Sequence, residues 1–311
     1  QKQAYRMNQT KPKSIIVLGP TASGKTNLGV KIAHTFNGEI LSADSRQVYI
    51  GLDIGTGKDL EEYSSVSPPI PYYLIDIVPV TYEFSLFDYL KYFSLAYEKV
   101  ISKNKLPVIV GGTGLYLSAL IEAYSLAKAP VNETLRTELS RLSIEELQKK
   151  LLELKPKLHN TTDLLEKERL IRAIEIALAE KNGEEIISVP PLNAIILGIH
   201  CEREQLKHRI GERLKQRIQQ GLIEEVERLR NEGISNERLF QLGLEYRYVV
   251  LYLQGKIKNK NDMFQKLRSA IWEFARKQEI WFRRLERNGH KIHWLQSGDF
   301  NSVRKWIEEL L

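Results

Sequence analysis

The sequence predicts an α/β fold in which a doubly wound parallel sheet carries a helical insertion. Three observations lead to it. Short apolar runs rich in Ile and Val alternate with helical patterns as far as Leu120, a glycine-rich loop follows the first of these runs, and residues 121–187 show helical periodicity with no convincing strand. The runs SIIVLG (14–19), EILSA (39–43), YYLIDIV (72–78), PVIVG (107–111) and AIILGIH (194–200) read as buried strands. Helices are expected from Thr26 to Phe36 and from Phe84 to Lys103. SIEELQKKLLEL (143–154) and EKERLIRAIEIALAEK (166–181) supply helices of the insertion, and SVPP (188–191) closes it, because paired prolines cannot continue a helix. Two long helices are expected over 202–231 and 261–287, the second stopping at Asn288-Gly289. The organisation is then a disordered basic tail (1–13), the first part of the core (14–120), the insertion (121–193) and the completion of the core with the long carboxy-terminal helices (194–311).

Composition narrows the class. At 311 residues and 42% hydrophobic, the chain can bury a sizeable core. No apolar run approaches the ~18 residues a membrane span needs, and QKQAYRMNQTKPK lacks the apolar core of a signal peptide, so a cytoplasmic protein without a membrane partner is expected. A single cysteine, Cys201, excludes an internal disulfide or a cysteine metal cluster, and it reads as a small buried residue at a strand end. The net charge of +7 points to a polyanionic partner, but four of those positives (Lys2, Arg6, Lys11, Lys13) lie in the tail. Local clustering must therefore carry any nucleic-acid argument. Between Lys266 and Lys291 eight Lys or Arg stand against three Asp or Glu, with Trp272, Phe274, Trp281 and Phe282 interleaved at a spacing that reads mostly as core.

The loop after the first strand, Gly19-Pro-Thr21-Ala22-Ser23-Gly24-Lys25-Thr26, matches G-x-x-x-x-G-K-[ST] in the strand-to-helix setting that a P-loop requires. Its glycines let backbone amides turn inward, the following helix aims its positive end at an anion, Lys25 adds a point charge, and Thr26 is the expected Mg²⁺ ligand. Such a cradle accepts a diphosphate or a nucleotide such as ATP and does not say which bond breaks. Phosphoryl-transfer enzymes usually place an Asp at the end of a second apolar strand. Here that strand runs into Gly111-Gly112-Thr113-Gly114, and the remaining acid, Asp76, lies inside an apolar run, so routine ATP hydrolysis is not expected.

The second strand ends in Ser42-Ala43-Asp44-Ser45-Arg46-Gln47, at the carboxyl edge where open α/β sheets bind ligands. A lone Asp there caps a turn or accepts a proton from an attacking group, and the neighbouring cradle favours the proton acceptor. In the helix after Cys201, Arg209, Arg213 and Arg217 form one stripe, and Leu206, Ile210, Leu214 and Ile218 an apolar one beside it. The arginines either form a solvated face paired with Glu212 and the acids of 224–227, or they reach the ligand.

Four segments, GPTASGKT (19–26), SADSRQVYIGLDIGTGK (42–58), VGGTGLYL (110–117) and FARKQEIWFRR (274–284), resemble tRNA dimethylallyltransferases, from the first strand to the last long helix. The resemblance implies a P-loop NTPase-like core with a helical insertion and Mg²⁺-dependent transfer of a dimethylallyl group from dimethylallyl diphosphate, without ATP. The acceptor is the exocyclic amine of the adenine 3′-adjacent to the anticodon, flipped into a channel. By the same resemblance Asp44 is the base and Thr113 contacts an oxygen in transfer. Gly19, Thr21, Ala22, Ser23, Gly24, Lys25 and Thr26 hold the diphosphate with Arg213 or Arg217. Asp44, Ser45, Arg46, Gln47, Arg136, Glu166, Arg169, Leu170, Leu242, Arg247, Gln278 and Arg283 border the anticodon arm of the tRNA, and the chain is read as a monomer.

Two stretches depart from the family pattern. TTDLLEKER (161–169) has extra residues where many relatives carry an Asn-Asp pair before the Arg corresponding to Arg169, and GLEYR (243–247) stands where relatives often have Gly-Tyr. Both touch individual RNA contacts rather than the chemistry. The competing readings are a small-molecule P-loop kinase using the same cradle and base, a prenyltransferase acting on free adenine nucleotides, and an RNA-binding regulator with a vestigial nucleotide site.

Overall fold

The computed structural model of the protein describes residues 13–158, 164–296 and 299–311. The expected basic tail falls outside them except for Lys13, as do Thr161, Thr162 and Asp163 of the departing stretch. Chain order is β1 (Ser14–Leu18), α1 (Lys25–Thr35), β2 (Gly38–Ala43), a 3₁₀ turn (Leu60–Ser64), β3 (Tyr72–Tyr73), α2 (Leu86–Ser102), β4 (Leu106–Gly111) and α3 (Gly114–Ile121). Then follow β5 (Ser125–Ala127), α4 (Glu133–Leu139), α5 (Ile144–Leu154), α6 (Lys167–Lys181) and β6 (Ile186–Ser188). The chain closes with β7 (Ala194–His200), α7 (Arg203–Gln219), α8 (Leu222–Asn231), α9 (Asn236–Gln241), α10 (Leu244–Leu253), α11 (Lys260–Arg287), β8 (His293–Gln296) and α12 (Phe300–Leu310).

Six strands form one parallel sheet in the order β3-β2-β4-β1-β7-β8. Every residue of β1 and β2 is buried, which is why these segments read as unbroken apolar runs rather than alternating ones. Because all strands run the same way, the loops after β1, β2 and β4 open on one edge. Chain order reverses beside β1, since β2 and β4 lie to one side and β7 to the other. That reversal leaves a crevice at the carboxyl edge. Helix α1 lies close over β4, and a Cβ at Gly29 would meet Val110 Cγ2 at 2.5 Å.

The structure revises four boundaries. The run 72–78 pairs with β2 only at Tyr72 and Tyr73, since positive φ at Leu74 (70°) and Asp76 (55°) bends it out of the sheet. The bend lets Asp76 bond the buried Lys58 ammonium. The helix expected over 202–231 breaks at Gly221, whose φ of 107° suits glycine, and α8 leaves in a new direction. Strand β8 shows no sequence signal, because of its four residues only Leu295 is buried. The insertion contains an antiparallel ribbon, β5 with β6, too short to register as a pattern.

The chain divides into two compact units: residues up to Phe84 with Tyr92–Ile121 and Leu192–Leu311, and Ser85–Lys91 with Glu122–Pro191. The second unit holds β5, β6, α4, α5 and α6 around Leu139, Leu147, Leu151, Leu170 and Ile174. A capping box of Ser143 and Glu146 starts α5. Its buried Glu175 accepts two bonds from Arg136 (2.9 and 3.0 Å), one from Arg172 (3.0 Å) and one from the Asn132 amide (3.1 Å). No helix among the described residues is long and apolar enough to cross a membrane.

Candidate active site

The Gly19–Thr26 loop turns between β1 and α1 with left-handed residues at Ala22 (φ 61°) and Gly24 (φ 87°), and the Ser23 amide bonds Pro20 O at 3.3 Å. No side chain caps α1 and its first turn holds no acid, so the helix start remains free to receive an anion. The Ser23 hydroxyl is buried with no partner among the described residues. Among the described residues Lys25 Nζ bonds only Pro20 O, at 3.2 Å. Its pKa is lowered to about 8, chiefly by burial and then by the nearby Arg213 cation, a penalty that a bound anion removes.

Facing the loop across one cavity of about 960 Å³ are Asp44 and Thr113. Asp44 Oδ1 accepts from the amides of Arg46 (2.8 Å) and Gln47 (3.2 Å), the turn geometry of a strand-end Asp. Its second oxygen takes no hydrogen bond from the described residues, and the residue lines the cavity. Asp44 thus caps a turn with one oxygen only. Thr113 Oγ1 accepts from the Ser45 amide (3.0 Å) and the Thr113 amide bonds Ala43 O (3.2 Å), which ties the end of β4 to that of β2. Gln47 donates to the carbonyls of Thr56 (3.2 Å) and Gly57 (3.1 Å), so the 53–59 loop is held beside the same edge.

That loop is pinned from below. The Glu225 carboxylate, 7% exposed, accepts from the amides of Asp53 (3.1 Å), Ile54 (2.8 Å) and Gly55 (3.1 Å) and from Tyr246 Oη (2.6 Å). Lys58, 2% exposed, donates to Tyr49 O (2.7 Å) and Asp53 Oδ1 (2.9 Å), and it also bonds Asp76. Asp76 is thereby engaged and is not among the residues lining the cavity. Arg213 and Arg217, expected as alternatives, both enter the cavity wall and converge on Asp59. Arg209 also lines the cavity, with a guanidinium nitrogen 3.6 Å from Cys201 Sγ. Burial raises the pKa of two further wall carboxyls, Glu62 and Glu245.

Gln278 closes the floor. Its amide nitrogen donates to Gly112 O and its oxygen accepts from the Thr21 amide, both at 2.9 Å, so α11 joins the Gly19–Thr26 loop to the end of β4.

The profile of the IPP transferase family matches residues 47–285. The chain is 52% identical to tRNA dimethylallyltransferase 1 of Geotalea uraniireducens over 297 residues, covering 96% of each. It is also 52% identical to tRNA dimethylallyltransferase 2 of Citrifermentans bemidjiense, covering 96% of this chain and 95% of that one. The chain belongs to the tRNA dimethylallyltransferase family. The crystal structure of the full-length tRNA isopentenylpyrophosphate transferase of Bacillus halodurans superposes with a TM-score of 0.68 at 30% identity, covering 96% of this chain and 98% of that one. A eukaryotic dimethylallyltransferase acting on tRNA shares the fold, with a TM-score of 0.73 at 20% identity, covering 94% of this chain and 75% of that one.

In this member of the tRNA dimethylallyltransferase family, Thr21, Ala22, Gly24, Lys25, Thr26, Asp44, Ser45, Arg46, Gln47, Thr113, Arg213, Arg217, Arg247 and Gln278 all line the one cavity. Gly19 and Ser23, expected with them, are not among the residues that line it, and a Cβ at Gly19 would meet Ser23 Oγ at 2.7 Å. Arg283 is exposed on α11. Arg136, Glu166, Arg169 and Leu170 belong to the second unit, where Arg169 pairs with Glu166 at 3.0 Å on an exposed surface. Three residues expected at the RNA border have structural duties. Leu170 and Leu242 are fully buried in the cores of their units, and Gln278 spends both ends of its amide within the chain. Of the aromatics in 266–291 only Phe282 is fully buried, while Phe274 and Trp281 line the cavity.

Family members can be recognised from short segments, but the residues that brace this site cannot. Glu225 is hidden in the charge-rich stretch EEVER (224–228), and Asp59 stands just past the last residue of the second matching segment. Gln278 carries no sequence signal of its floor role.

Proposed function

We propose that the chain transfers a dimethylallyl group from dimethylallyl diphosphate to the exocyclic amine of the adenine 3′-adjacent to the anticodon of a tRNA. The observation that carries this reading is the pairing, across one cavity, of an anion cradle with an Asp44 oxygen that has no protein partner among the described residues. The strand β4 ends at Gly111 and runs on into Gly112-Thr113, without the acid that phosphoryl transfer uses.

The reaction breaks the carbon–oxygen bond between prenyl group and diphosphate and forms a carbon–nitrogen bond. Negative charge grows on the departing diphosphate, so the amides of the Gly19–Thr26 loop, Lys25 and the arginines favour the transition state over the ground state. Asp44 accepts the proton that the amine loses as the new bond forms. Thr113 keeps Asp44 in place through Ser45 and stands at the same wall to donate to a substrate oxygen. Mg²⁺ fits this site. Thr26 offers a hard hydroxyl oxygen with no hydrogen bond to the described residues, and it lines the cavity beside Lys25. When bound it would be held by Thr26 and ligand oxygens and would neutralise charge on the diphosphate.

On the RNA side, Arg276, Lys277, Arg283 and Arg287 are exposed along α11 and suit phosphate contacts, which position an RNA without reading its sequence. The chain acts as a monomer in the cytoplasm in this reading. Incubation with labelled dimethylallyl diphosphate, Mg²⁺ and bulk tRNA, followed by nuclease digestion, should place the label on one adenine of the anticodon arm. Label on free adenine nucleotides, or tRNA-stimulated ATP hydrolysis without prenyl transfer, would refute it.

A further inference from the structure

The arginine pair of α7 ends on an internal anion. Asp59 Oδ2 accepts from Arg217 Nη2 at 2.6 Å and from Arg213 Nη2 at 3.3 Å. The side chains of Asp59 and Arg217 are 22% and 11% exposed, so the pair is largely withdrawn from water and its attraction is weakly screened. The approach is close on all sides, since a Cβ at Gly57 would meet Arg213 Nη2 at 2.5 Å and Arg217 Nη2 at 2.8 Å. Asp59 itself is held at φ 44° and ψ 50°, a left-handed conformation that non-glycine residues seldom adopt. The buried Lys58, bonded to Tyr49, Asp53 and Asp76, fixes the preceding residue and aims the Asp59 carboxylate into the cavity. Asp59, both arginines and the Gly19–Thr26 loop line the same space.

We propose that Asp59 is an internal counter-anion that competes with diphosphate for Arg213 and Arg217. In the free protein its carboxylate stands where a phosphate oxygen would stand. A diphosphate entering the cradle takes over the guanidinium groups and leaves Asp59 to solvent. As product diphosphate departs, Asp59 recaptures them. The free product carries more negative charge than the prenyl ester and would otherwise be held more tightly by the same cations, so the competitor speeds product release at a cost in affinity. This inference rests on the cavity taking a diphosphate, as proposed above.

The test is Asp59→Asn, which keeps the shape and suits a left-handed backbone. Inorganic diphosphate binding is measured by calorimetry in the wild type, Asp59→Asn, Arg217→Gln and the double variant, with circular dichroism to verify folding. Asp59→Asn should bind diphosphate about tenfold more tightly, the scale of one partly buried charge-assisted contact, and diphosphate should inhibit its turnover at correspondingly lower concentration. The gain should shrink to about twofold or less in the Arg217→Gln background, because the contact being relieved is then missing. A full tenfold gain in both backgrounds would reduce Asp59 to a general field effect and overturn the proposal. So would unchanged or weaker binding in Asp59→Asn, which would make Asp59 a brace for the arginines. Absence of diphosphate binding in the wild type would remove the diphosphate reading, and this proposal with it.

Discussion

Replacing Glu225 by Gln probes how the 53–59 loop is held. In the wild type Oε2 accepts from the amides of Asp53 and Ile54, and Oε1 from the Gly55 amide and Tyr246 Oη. A glutamine keeps one acceptor oxygen and turns an NH₂ group toward the other pair of donors. The Tyr246 hydroxyl can turn to accept from that NH₂, which leaves the Gly55 amide facing a donor at a residue only 7% exposed. An unsatisfied buried donor costs about 1–3 kcal/mol, so the variant should lose about 1–3 kcal/mol of stability. Urea unfolding at constant slope measures this directly. Because the same loop supplies the Thr56 and Gly57 carbonyls to Gln47 and presents Asp59 to the arginines, limited proteolysis within residues 52–59 should accelerate, and KM for dimethylallyl diphosphate should rise. A loss below about 1 kcal/mol, with proteolysis unchanged, would show that the carboxylate is not what holds the loop and refute the reasoning.

Other expectations follow from the same geometry. Asp44→Asn retains an Oδ1 acceptor for the Arg46 and Gln47 amides, so single-turnover transfer should fall by about 10²–10⁴ while diphosphate binding survives, and near wild-type transfer would exclude Asp44 as base. In the free protein Lys25 loses its proton at about pH 8, below the range of an ordinary lysine, and a bound anion favours the protonated form. Affinity for diphosphate should therefore be greatest below that pH and weaken as pH rises through it. The excess slope over Lys25→Arg, measured in the same buffers to cancel titration of the ligand, reports the lysine, and identical profiles would assign the dependence elsewhere. Finally, Arg276, Arg283 and Arg287 replaced together by Gln should flatten the salt dependence of tRNA binding by roughly 0.7–0.9 log units per decade of salt for each phosphate no longer neutralised. KM for the prenyl donor should be almost unchanged, and an unaltered slope would show this face of α11 to be only solvated.

Much of the fold was legible because it rests on local pattern. Strands buried on both faces leave unbroken Ile and Val runs, as in β1 and β7, and helices with one apolar stripe leave a 3.6-residue period, as in α5 and α11. The elements that escaped have too little buried surface to leave a pattern. Strand β8 buries one side chain, the β5–β6 ribbon has three residues per strand, and the break at Gly221 interrupts an otherwise continuous helical period.

The sequence by itself determined the Gly19–Thr26 loop between strand and helix, the alternation of strands and helices, and an Asp at the end of β2, because each depends on spacings of a few residues and on side-chain type alone. Only the tertiary structure decided what those parts meet. Gln278 joins Thr21 across 257 positions, Glu225 holds Asp53 across 172, and Arg217 finds Asp59 across 158. Such pairs leave no periodic trace, since a hydrogen bond depends on where the sheet and its helices bring two backbones together. The same physics explains why Leu170 and Leu242, expected at the RNA border, belong to the cores of their units: family resemblance aligns positions along a chain, whereas burial is set by what packs against them.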